Sequence, residues 1–250
     1  MSRPAPLATA TLVQAGVELR LTARRGENLL AMVGIPAAVL LFFGTTDLLP
    51  ATVAGTRADA LLPGTLALAI LATGLVNLGI ATAYERSYGV LKRLGGSPLG
   101  RGGLIGAKLL AILLIELVLV VLLVALAAVA LGWRPGPAVS PTGFAAAFVL
   151  GSAAFAALGL LLAGTLRAEA TLALANALFV AGLLVGGVIL PIDRLPEPLA
   201  TVAGFLPAAA LSEGFRTSLG AGGELGRPIA ILAVWALGAV LAAVATFRWE

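Results

Sequence analysis

Apolar residues in this chain neither alternate nor fall in short stripes. They form runs of about 20 residues, long enough at 1.5 Å per helical residue to cross a hydrocarbon layer of ~30 Å. Six such spans are predicted, at 29–49, 61–83, 103–131, 142–166, 170–190 and 228–247. Pro228 opens the last, where a helix has no use for the missing N–H. The alternating ten-residue segments of an outer-membrane barrel are absent. The pattern therefore predicts an all-α integral membrane protein, a single transmembrane domain over residues 1–250.

The polar segments between the runs are organised too. On a helical wheel, Gln14, Glu18, Thr22 and Arg25 share one sector, opposite Leu12, Ala15, Gly16, Leu19 and Ala23. Residues 8–26 thus read as an interfacial (elbow) helix, with Arg20, Arg24 and Arg25 at the membrane surface, reaching headgroups on long stems. Residues 85–101 form a short basic segment carrying Arg86, Lys92 and Arg93, punctuated by Gly89, Gly95, Gly96 and Pro98. Residues 191–227 are too long for a hairpin, and two helical patches separated by Pro207 suit a segment that dips back into the outer leaflet.

Composition sharpens this picture. Hydrophobic residues make up 60% of the chain and charged residues 11%, with a mean hydropathy of +1.07. No Cys or His is present, which excludes disulfides, thiol nucleophiles and His-based metal or proton-relay chemistry. The net charge of +4 needs no nucleic acid to explain it, because basic loops facing anionic lipid are the ordinary cause. No cleavable signal peptide is expected, since residues 1–28 lack a contiguous apolar core. With the N-terminus inside, eleven Lys and Arg fall in the cytoplasm and five outside, so both termini are expected there. Gly100-Arg-Gly-Gly-Leu-Ile-Gly106-Ala-Lys108 superficially suggests a phosphate loop, but lacks the Gly-Lys-Ser/Thr ending and a preceding strand.

Glu85, Arg86, Gly89, Leu91, Lys92, Leu94 and Pro98, followed by Lys108, resemble the segment after the second span in membrane subunits of the ABC-2 type exporter family. Leu195-Pro196-x-Pro-Leu199, Phe205-Leu-Pro207 and Glu213-Gly-Phe-Arg216 resemble that family's external loop. The resemblance runs the length of the chain. It implies six spans with an elbow helix, a cytoplasmic coupling helix and an extracellular re-entrant helical segment, as in type V exporters. It also implies ATPase coupling through Glu85, Arg86, Gly89, Leu91, Lys92, Arg93, Leu94 and Pro98, with Leu91 and Leu94 as the apolar anchor and the cations meeting an acidic rim. The implied partners are two copies of an ABC ATPase subunit, which bind the ATP and Mg2+, and a second permease, most simply a homodimer. Membrane lipid is a further partner. No cofactor or metal is assigned to this chain, and no catalytic site.

Polar residues inside the spans are the remaining signal. Glu116 is costly at that depth and is read as protonated, ion-paired, in contact with a cationic substrate, or hydrogen-bonded to a neighbouring helix. Asn77 and Asn176 are further cavity candidates, with interhelical hydrogen bonding as the ordinary alternative. Gly182 and Gly186 form a Gly-x-x-x-Gly surface for close helix packing, either within the subunit or across a dimer. Small loops point to export of an amphiphilic drug or natural product across a bacterial plasma membrane, as in daunorubicin-resistance-like permeases. A polysaccharide or lipid-linked glycan exporter is the competitor within the family. A secondary transporter or channel, or a non-transporting assembly subunit, is the alternative of another class.

Overall fold

Helices and the turns joining them build the computed structural model over its described residues, 6–24, 26–46, 56–96, 99–187 and 196–249. Helix α1 covers Leu7–Ala23 and α2 covers Gly26–Thr45. The next rod runs unbroken from Arg57 to Ser87: α3 (Arg57–Ile70), a π-helical stretch (Leu71–Leu78) and α4 (Gly79–Ser87). The short α5 (Val90–Gly95) precedes α6 (Gly100–Ala130), α7 (Pro141–Thr165) and α8 (Ala168–Val185). Then come α9 (Glu197–Ala203), α10 (Pro207–Arg216) and α11 (Gly226–Thr246).

Local chemistry sets several of these boundaries. Thr56 and Asp59 form a reciprocal capping box at the start of α3, the Asp59 carboxylate accepting from Thr56 N–H at 2.6 Å. Ser140 Oγ accepts from Gly143 N–H at 3.1 Å, and Pro141 follows in the first turn of α7. Pro207 likewise occupies the first turn of α10.

Among the described residues, five helical rods are long and apolar enough to cross a membrane: Arg57–Ser87, α6, α7, α8 and α11. Helix α2 has 20 residues, of which Met32–Thr45 is a shorter apolar stretch; the expected end of the first span, at Leu49, lies outside the described residues. The α3 rod is central. Every residue from Leu61 to Ile70 is buried, enclosed by α2, α6, α7 and α10. Outer rods bury one stripe and present another. On α11, Leu232, Ala236, Ala239 and Ala243 are buried while Val234, Leu237 and Leu241 are exposed. Exposed apolar ridges of this length suit lipid and would be untenable in water.

Two contacts hold the centre together. A Cβ on Gly159 of α7 would sit 2.5 Å from the Gly74 carbonyl oxygen, so only glycine lets α7 touch the π-helical backbone there. Helix α10 is buried among α3, α7 and α11. Its Leu211 lies over Gly151, and the Phe215 ring stands 4.9 Å from that of Phe144. Beyond α10, Leu219 and Ser218 carbonyls accept from Gly136 N–H (3.1 Å) and Ser140 N–H (2.9 Å). The irregular backbone is thereby satisfied by the α6–α7 loop rather than by solvent. Residues 191–195 of this stretch lie outside the described residues.

Candidate functional site

At the opposite end, α4 stops and the chain turns sharply. Tyr88 N–H donates to Tyr84 O at 2.9 Å and Gly89 N–H to Arg86 O at 2.9 Å. Gly89 then takes a left-handed conformation at φ 73°, which a side chain would strain. The chain re-enters as α5, which lies across the bundle floor. Leu91 is fully buried there, packed with Leu99, Leu104, Ile105, Leu160, Ala243 and Phe247. Leu94 and Trp249 pack beside it, half-buried.

This placement corrects the expectation for Leu91. A side chain with no accessible surface cannot anchor a partner; burying it is worth about 1.5–3 kcal/mol to this chain's own floor. The short helix has an inner and an outer face, and hydrophobicity alone does not say which leucine lies on which. Outward-facing residues are Tyr88, 75% exposed, and Val90, 44% exposed, with Ser87, Lys92 and Arg93 around them. Arg86 is drawn inward as well: its Nη2 donates to Leu166 O, the carbonyl that ends α7, where a cation complements the helix dipole. Pro98 lies outside the described residues.

At the same end of the bundle, near the close of α4 and the start of α6, an ion cluster joins three elements. Lys108 of α6 is 1% exposed and its Nζ meets Glu85 of α4 at 2.8 Å and Glu18 of α1 at 3.0 Å. Gln14 Nε2 donates to the other Glu18 oxygen at 2.9 Å. A buried ammonium without such partners would cost several kcal/mol, so the cation dictates the packing. It also sets the orientation of α1. The polar row Gln14, Glu18 and Thr22 faces the protein, while Leu12, Val13, Val17 and Leu21 are exposed. Arg20 and Arg24 are also exposed, and Arg25 lies outside the described residues. Gly103, in the segment that superficially suggests a phosphate loop, sits under Leu7 of α1.

Asn77, in the π-helical stretch, lines a cleft of about 60 Å³ together with Glu18, Glu85 and Lys108. The other intramembrane candidates lie elsewhere. Glu116 is fully buried on α6. Ser152 of α7 stands near it, yet neither its oxygens nor the Ser152 hydroxyl reach hydrogen-bond geometry. Asn176 is on an exposed face of α8, its Nδ2 donating to Leu172 O at 2.8 Å. Gly182 is buried against Leu71 and Ala208 of this same chain, and Gly186 against Ala208. Sequence reasoning missed the Glu18–Lys108–Glu85 cluster as a unit. The available signal was a lysine just inside a span, preceded in the chain by two polar segments that carry Glu18 and Glu85.

Such a chain is a multi-pass helical membrane protein with a short helix fastened to one end of its bundle by an apolar plug and a buried ion cluster. The family model described as ABC-2 type transporter matches residues 11–219, and the chain belongs to that family. It is the membrane subunit of an ABC transporter, a transport component that associates with an ATPase subunit. No curated protein matches the chain.

Proposed function

We propose that the chain is the permease half of an exporter and receives work through the α4–α5 turn. The single observation that carries this is the two-sided build of the turn. Its underside is fixed by Leu91 and by the Glu85–Lys108–Glu18 cluster, while Tyr88 and Val90 stand out beside Lys92 and Arg93. An aromatic and a branched aliphatic ringed by cations form an anchor with an electrostatic rim, suited to an acidic-edged groove. Rigid attachment below is what lets a push from outside reach α1, α4 and α6 together.

On this reading two permease copies pair, two ATPase subunits bind ATP and Mg2+, and both termini are cytoplasmic in a bacterial plasma membrane. Asn176 supports a second copy against α8, because an amide on an exposed membrane face gains from a neighbouring helix. The substrate class is an amphiphilic small molecule, a drug or natural product, supported by the short loops and the apolar spans. The test is reconstitution of the chain with its ATPase in liposomes carrying a fluorescent amphiphile. Efflux that requires ATP and both proteins is expected; equal transport by the chain alone, driven by an ion gradient, would contradict the reading.

A further inference from the structure

Behind the α4–α5 turn lies a cleft of about 410 Å³, bounded by the end of α4, the α7–α8 turn and the C-terminal segment. Arg86, Lys92 and Arg167 line it with Trp249, and Glu169 is the one acidic residue among the described residues of its wall. Arg248 is close enough to Arg86 for their charges to repel. Among the described residues, Arg86, Arg167 and Arg248 make no salt bridge. With Arg86, Lys92 and Arg167 in the wall, Arg248 nearby and Glu169 as the carboxylate among the described lining residues, the cleft carries an excess of positive charge that an anion would complete.

We propose that this cleft holds the phosphate-bearing headgroup of an anionic phospholipid. Arginine is suited to phosphate because its planar fork gives two parallel N–H donors. The volume is many times the ~30 Å³ of one water, roomy enough for a phosphate ester with its glycerol. Depth selects the lipid source. The walls are the last residues of α4, the first residues of α8 and short segments next to them, at the ends of apolar rods. Trp249 is the residue type that settles at headgroup level, and basic pockets between span ends favour anionic headgroups. The lipid would bridge the α4–α5 turn to the α7–α8 turn, two segments that Arg86 already joins through Leu166 O.

The test is native mass spectrometry of the full chain in detergent with phosphatidylglycerol or phosphatidylcholine added at equal concentration. Phosphatidylglycerol should be retained several-fold better. Arg167→Gln with Arg248→Gln should weaken its retention by roughly fivefold per charge removed. That pair leaves the Arg86 contact and the Arg248 backbone bond to Gly164 O intact, so the fold is kept, as a melting curve would check. Arg101→Gln, an exposed charge outside the cleft, should change nothing. Equal retention of the two lipids, or phosphatidylglycerol retention that survives the double substitution, would overturn the proposal. So would free glycerol phosphate displacing the lipid at equal concentration, which would make the ligand a soluble phosphoester. Loss of ATPase co-purification in the double variant with lipid retention unchanged would assign the cleft to the ATPase instead.

Discussion

Lys108 and Glu116 stand two turns apart on α6, roughly 12 Å at 1.5 Å per residue, both fully buried, yet the chain treats them oppositely. Around Lys108 it gathers two carboxylates and an amide from α1 and α4. Around Glu116 it supplies Ser152 and no hydrogen bond. The difference teaches what each is for. A satisfied buried charge fixes the relative position of the elements that satisfy it; a buried carboxyl with no hydrogen-bond partner fixes none. The fixed end is also the end that carries α5.

Substitution can break that contrast. Lys108→Met removes the cation and leaves two carboxylates facing each other in a buried site, so the largest loss is expected here, about 3–5 kcal/mol. Changing Glu18 and Glu85 to Gln in the same protein should recover most of it, because neutral partners remove the repulsion. Thermal unfolding in detergent measures both; a Lys108→Met protein as stable as the parent would show that the cluster holds nothing together. Leu91→Ala comes next, at about 2–4 kcal/mol for a fully buried leucine. Its loss should appear in unfolding rather than as selective loss of a partner.

Gly159→Ala should cost about 1–3 kcal/mol, since the new methyl would press on the Gly74 carbonyl and part α7 from the π-helical stretch. The smallest effect belongs to Glu116→Gln. No hydrogen bond is lost and volume is kept, so unfolding should shift by less than about 1 kcal/mol. A loss as large as that of Lys108→Met would mean that Glu116 has a partner of its own, and the contrast along α6 would collapse.

Much of the architecture was legible in the sequence, for physical reasons. A run of 20 apolar residues has few options other than a membrane helix, and Pro207, which divides two helical patches in the sequence, opens α10 because a first turn has no use for the missing N–H. What hydropathy could not show is direction within a helix. Leu91 and Val90 are equally apolar, yet one is buried and the other exposed, because Leu91 packs with α6 and with residues of α7 and α11 that lie far off in the chain. The polar row of α1 turned inward for a similar reason: its partner, Lys108, is 90 residues beyond Glu18. The π-helical stretch has no sequence period of its own, and its glycine contact with α7 joins residues far apart in the chain.

The coupling claim rests on which face of the α4–α5 turn meets the ATPase. Co-purification of the tagged chain with its ATPase, for the parent and for Tyr88→Asp with Val90→Asp, tests it most directly. Both substitutions lie on the exposed face and leave Leu91 and the Lys108 cluster untouched. The expected result is loss of the ATPase, at least tenfold, from a chain that still melts at the parent temperature. Full retention of the ATPase by that variant would contradict the claim and move the docking surface elsewhere.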